Sequence, residues 1–133
     1  MNRRGLREQV FKLLFRVEFN PIEEMEEQCK LFFEHEEVEM TEEDIAHIKE
    51  KFTAIHDRIP EIDVMINEKA KGWTTERMGK VDLTIIRLAV YEMKYDEKIP
   101  QGVAINEAVE LAKKFGQDES FSFVNGILAK FAV

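Results

Sequence analysis

The stretch from Val103 to Phe131, VAINEAVELAKKFGQDESFSFVNGILAKF, fixes how the rest of the chain is read. Ala104, Ala108, Leu111, Ala112 and Phe115 recur at helical spacing, with Asn106, Glu107, Glu110, Lys113 and Lys114 opposite, so an amphipathic helix is predicted. Gly116 is placed to end it in a left-handed C-cap, and Asp118 to cap a second helix. There Val124, Ile127, Leu128 and Phe131 form the buried stripe. Phe123 lies about a quarter-turn from that stripe, on the side of Lys130. Asn125 and Gly126 lie inside the helical pattern, where small residues are expected to permit close helix contact.

The same period runs upstream. Leu6, Val10, Leu13, Leu14 and Val17 share one face of a helix over residues 3–18. Arg4, Phe11 and Phe15 lie on another side with Arg7 between them, a basic stripe interleaved with rings. Guanidinium groups neutralise phosphates and rings stack on unpaired bases, so this pattern suits single-stranded RNA. Phe11 and Phe15 are also readable as core against a second layer of helices, Phe11 more so than Phe15. Asn20-Pro21-Ile22-Glu23 reads as a capped start for a helix to about residue 36, with Ile22, Met25, Cys29, Leu31, Phe32 and Phe33 apolar. Thr41 with Asp44 opens a third helix carrying Ile45, Ile48, Phe52 and Ile55 inward, which Pro60 interrupts. A helix over about 61–71 places Ile62, Met65, Ile66 and Lys69 together. A break at Gly72-Trp73 precedes a helix expected over 76–95, capped by Thr74 or Thr75 and buried through Met78, Val81, Ile85, Leu88 and Ala89. Asp82 and Glu92 lie on that apolar side, which fits either an internal partner or a face left open to another molecule. No segment alternates with the period of a strand, so the fold class is all-α.

At 133 residues the chain is expected to be a single domain. The one cysteine, Cys29, leaves no internal disulfide, which fits a reducing cytoplasm. No apolar run is long enough to span a membrane, and the N-terminus lacks the apolar core of a signal peptide. The net charge of −8 argues against a general nucleic-acid binder, but it is unevenly spread. Residues 1–16 carry +4, residues 17–50 carry −11 and the remainder −1. Such polarity gives one region for a polyanion and another that repels it, or else simply solvated surface.

No catalytic set stands out. His35, His47 and His56 have no partner at metal-ligand spacing, and there is no phosphate-binding glycine loop or dinucleotide fingerprint. No enzyme activity, metal, cofactor or small-molecule substrate is expected. Cys29 sits among apolar neighbours and reads as buried and inert.

VAINEAVELAKKFG followed by SFSFVNGIL resembles the C-terminal signature of the NusB family of bacterial transcription antitermination factors. KVDLTIIRLAVYEM, from Lys80 to Met93, resembles the family's preceding core helix, and Arg3, Arg4, Arg7 and Glu8 resemble its basic start. The resemblance runs the length of the chain, dense from Trp73 onward and weak over residues 20–60. It implies an all-α fold of about seven helices in two packed bundles, about 1–72 and about 73–133, within a single domain. It implies binding of boxA leader RNA together with the ribosomal protein NusE. The resulting complex, with NusA, NusG and RNA polymerase, promotes processive transcription of ribosomal RNA operons. The RNA-binding residues would be Arg3, Arg4, Arg7, Phe15, Lys113, Lys114, Gln117, Ser120 and Phe123, provided the first helix packs near the turn at Gly116. Partner contacts would be Asp82, Arg87 and Tyr91. Gly5 and Leu6 interrupt the basic run, and Phe15 stands where a tyrosine is common in the family. Glu119 sets an acid beside the expected RNA face, so weak binding alone and tighter binding with NusE are expected. Two other readings share these features. One is a non-catalytic RNA-binding domain like that fused to ribosomal RNA cytosine methyltransferases, with no methyltransferase expected to follow Val133. The other is a pure protein-interaction module.

Overall fold

Asn2 starts the first helix: its Oδ1 accepts the Gly5 N–H at 2.7 Å, and α1 runs Arg3–Phe15 before tightening into a 3₁₀ turn over Arg16–Glu18. The computed structural model describes residues 1–133. Its helices fall into two compact units, Met1–His56 and Asp57–Val133.

In the first unit α1 packs on α3 (Glu42–His56). Val10, Leu13 and Leu14 of α1 and Ile48, Phe52 and Ile55 of α3 are buried, each side chain worth about 1.5–3 kcal/mol when removed from water. Phe11 is core, at 3% exposure. The start of α3 is as the sequence predicts. The Asp44 N–H donates to Thr41 Oγ1 at 3.1 Å, and the Thr41 N–H donates back to Asp44 Oδ2 at 3.0 Å. The start of the second helix is not. The Asn20 amide donates backward to the Arg16 carbonyl at 2.9 Å, closing the end of α1 instead of opening a new helix. A 3₁₀ turn over Ile22–Glu24 follows, and α2 begins only at Met25 and runs to His35 without a side-chain cap. Ile22, expected inside, is 71% exposed. Arg16 ties α2 down, donating to Gln28 Oε1 at 3.0 Å and lying 5.4 Å above the Phe32 ring. Cys29 is half-buried; burial pushes its thiol up despite Lys49 and Arg16, which keeps it protonated.

In the second unit α4 is Ile59–Lys69, with Pro60 in its first turn, where the missing N–H costs nothing. The sequence-based division near residue 72 groups α4 with the N-terminal helices, whereas α4 packs on α5 in the second unit. Gly72, at φ 87, is the left-handed residue that lets the chain turn back after α4. The next helix begins later than predicted. Thr74 and Thr75 make no side-chain cap; a 3₁₀ turn over Thr75–Arg77 gives way to extended backbone at Met78, and α5 runs Lys80–Tyr95. Leu83, Ile85, Ile86, Leu88, Ala89 and Val90 of α5 are all buried, because α4, α6 (Gln101–Phe115) and α7 (Ser120–Ala129) pack around it. A helix covered on several sides reads as continuous apolar sequence, so the single stripe predicted for it is too narrow.

The turn between α6 and α7 departs from expectation. Gly116 is not left-handed but extended, at φ −90° and ψ −170°. Its glycine is needed for space: a Cβ there would lie 2.5 Å from Ser120 Cβ and 2.7 Å from the Ala112 carbonyl. Asp118 does not cap α7; instead the Gln117 N–H donates to Ser120 Oγ at 2.9 Å. Nor does Gly126 permit a close contact, since a Cβ there would meet nothing within 4 Å.

Candidate nucleic-acid interface

The second unit opens a cleft of about 830 Å³ where the start of α5 faces the α6–α7 turn. Trp73 and Phe123 meet across it edge to face, ring centroids 5.4 Å apart at 70°. Phe123 is half-buried and Trp73 46% exposed, so the pair offers ring surface to solvent. The Arg77 guanidinium lies 5.6 Å from the Trp73 centroid. Met78 and Gly79 line the same cleft beside Asp82, and Gln117 and Ser120 line it from the turn. Asp118 and Glu119 add carboxylates, so its charge is mixed.

The structure therefore brings four predicted residues together, Asp82, Gln117, Ser120 and Phe123. Ser120 is only 6% exposed, and its hydroxyl holds the turn by accepting the Gln117 N–H. Lys113 and Lys114 are exposed but lie outside the cleft. Lys113 pairs with Glu110 at 3.8 Å and reaches over the Phe121 ring at 5.7 Å, while Lys114 lies 5.4 Å from the Phe115 centroid.

The partner candidates on α5 separate. Asp82 faces the cleft, but Arg87 is 8% exposed and forks onto Asp63 of α4, its Nε 2.9 Å from Oδ1 and an Nη 2.8 Å from Oδ2. Tyr91 is half-buried, its ring 5.7 Å from that of Tyr95. Tyr95 donates to Glu61 Oε2 at 3.0 Å beneath the Arg58 guanidinium, 4.2 Å from the ring centroid. Burial first, then the Glu61 carboxylate, push the Tyr95 phenol up, so it stays a donor.

In the first unit Arg3 and Arg4 are exposed, while Arg7 is 8% exposed. Phe15 is half-buried in a ladder of rings, 6.2 Å from Phe11 and 5.0 Å from Phe19. Phe19 carries the ladder to the surface at 58% exposure.

Sequence reasoning missed Trp73, Met78 and Gly79 as cleft residues. The available signal was the chain's one tryptophan standing beside a glycine break just before a helix.

Seven α-helices with a ring-lined cleft beside the last turn define the class, an all-α protein with aromatic rings open to solvent at that turn. No helix is long and apolar enough to cross a membrane. The NusB family model matches residues 4–133, and the chain belongs to that family. It is 56% identical over 132 residues to the transcription antitermination protein NusB of Agathobacter rectalis, covering 99% of this chain and 100% of that one. Its fold is similar to that of NusB from T. maritima, with a TM-score of 0.85 and 32% identity over 99% of this chain and 91% of that one. It is also similar to the solved structure of the antitermination factors NusB and NusE in complex with double-stranded RNA. There the TM-score is 0.74 with 25% identity, over 96% of this chain and 92% of that one.

Proposed function

We propose that this chain is a transcription antitermination factor that binds boxA-type leader RNA together with NusE and promotes processive transcription of ribosomal RNA operons. It acts in the cytoplasm by binding, without catalysis, and its two helical bundles work as one NusB-like domain. NusA, NusG and RNA polymerase complete the assembly. The observation that carries the reading is the full-length match to a NusB antitermination protein, 56% identical over 99% of the chain.

Within this reading the residues divide by chemistry. Arg3 and Arg4 neutralise phosphates, and Arg7, largely buried, steadies α1 beneath them. Phe15 and Phe123 supply ring faces for unpaired bases, Phe123 with Trp73 braced against it. Gln117 offers an amide to a base edge, and Ser120 holds the turn that presents it. Lys113 and Lys114, outside the cleft, grip the RNA backbone where it runs on past α6. Asp82 faces a protein partner, while Arg87 and Tyr91 keep the α4–α5 surface in shape for it. The carboxylates of Asp118 and Glu119 repel RNA and make the chain dependent on its partner for tight binding.

A gel shift with boxA RNA, with and without NusE and against a scrambled RNA, tests this. Preferential binding of boxA RNA, tightened by NusE, is the expected result. Equal binding of the scrambled RNA would overturn sequence-selective recognition, and equal affinity without NusE would overturn the cooperative part.

A further inference from the structure

A second hollow, of about 480 Å³, lies between α6 and α7 on the side of α7 away from the cleft. Ser120 and Phe123 line the cleft, whereas Phe121, Ser122 and Asn125 line the hollow, because successive residues of a helix point to different sides. Phe121 is 43% exposed, and Lys113 holds its ammonium 5.7 Å from the ring centroid. Ile105 and Val109 form an apolar floor, and the exposed amides of Asn106 and Asn125 stand around it. At Gly102 a Cβ would meet nothing within 4 Å, so the backbone there is open to a ligand.

We infer that this hollow is a further subsite for single-stranded RNA, taking a nucleotide that flanks the element held at the cleft. The inference rests on the RNA-binding reading above. Three observations favour RNA. The lining contains one charged residue, the cation Lys113, and no carboxylate, in contrast to the cleft with Asp82, Asp118 and Glu119. A ring beside an ammonium matches the two halves of a nucleotide, a base to stack and a phosphate to neutralise. The hollow and the cleft lie on opposite sides of the first turns of α7, so a strand that rounds that end of the helix, about 10–12 Å across, reaches from one to the other. The Lys113–Glu110 pair does not oppose this: both side chains are about half exposed, and a solvated pair of that kind is weak enough to yield to a phosphate. The Asn106 and Asn125 amides then lie at the rim as donors and acceptors for the base edge.

The test compares boxA RNA with the same RNA extended on either side by a short run of uridines, using the full chain with NusE. Wild-type protein is expected to bind the extended RNA more tightly. Phe121→Ala is expected to lose that gain, about fivefold or more, while binding the unextended RNA as before. Phe121→Tyr should restore the gain, and Phe121→Leu, which keeps apolar bulk without a ring, should not. Melting curves of the three variants report whether the helix pair is intact; rescue by Leu as well as Tyr would make Phe121 a packing residue and overturn the subsite. A gain absent in wild type, or surviving Phe121→Ala, overturns it too. If Phe121→Ala instead weakens NusE binding, the hollow is a protein surface and the inference fails. Failure of wild type to bind the unextended RNA would overturn the underlying function and the subsite with it.

Discussion

Trp73 and Phe123, distant in sequence, stand edge to face with centroids 5.4 Å apart, and neither is fully covered. Each ring limits the freedom of the other, so the pair is pre-organised for a third ring to enter. Phe123→Ala is expected to weaken RNA binding by about 1–3 kcal/mol. Trp73→Ala should act in the same direction, and the double variant should cost less than the sum. Because Trp73 is the only tryptophan, intrinsic fluorescence reports on the cleft directly. Emission unchanged at saturating RNA would count against ring contact there.

Arg3 and Arg4 are the exposed cations at the start of α1. Replacing both with Ala should flatten the dependence of RNA affinity on salt, by about 0.7 in log–log slope for each single-strand phosphate that is no longer neutralised. Melting temperature should barely move. A slope equal to that of wild type would show that neither arginine neutralises a phosphate.

Arg87 and Asp63 form a two-pronged ion pair with side chains 10% and 22% exposed, joining α5 to α4. Removing either partner leaves a largely buried charge unmatched. Arg87→Ala is expected to destabilise the fold by about 3 kcal/mol in urea denaturation. Arg87→Lys should recover little, since an ammonium cannot reproduce the fork. A midpoint unchanged in Arg87→Ala would mean the pair contributes nothing to stability.

Asp44 accepts the Thr41 N–H, and that bond, the Thr41 hydroxyl and the Met1 amino group 3.6 Å away hold its carboxyl below the usual range against the opposing effect of burial. The folded state therefore binds this proton less readily than the unfolded chain. The stabilisation is present above the unfolded pKa of about 3.9 and is lost as pH falls below it through the folded value. Asp44→Asn should flatten the acid limb of a stability–pH curve. Thr41→Ala should cost about 1 kcal/mol at neutral pH. An acid limb identical in Asp44→Asn and wild type would show that Asp44 does not link pH to folding.

What can be read in advance follows from local physics. The Thr41–Asp44 cap, the stripe Val10, Leu13 and Leu14, and the α6–α7 pair all depend on spacing within a few residues, which a sequence displays directly. The Asn20 and Gly116 expectations fail alike in that each residue has the right type for a cap but serves another purpose. The Arg16 carbonyl takes the Asn20 amide, and the approach of Ser120 and Ala112, not a left-handed turn, requires glycine at 116. The cleft is half legible. Phe123 stands out because it lies off the core stripe, whereas Trp73 belongs to a break and acquires meaning only when Gly72 turns the chain back. Arg87 is misleading in isolation, because nothing near it in sequence announces Asp63.

The Arg87 fork has a wider consequence. The other two arginines of Asp57–Val133 are also engaged within their own unit, Arg58 over Tyr95 and Arg77 over Trp73. The rest of this unit's positive charge is carried by lysines, which hold a polyanion as points without directional forks. Under the proposed RNA reading, discrimination among bases in that half of the molecule then falls to amides, aromatic planes and the cleft carboxylates of Asp82, Asp118 and Glu119. Ionic strength would govern how firmly a transcript is held there, but not which letters are preferred.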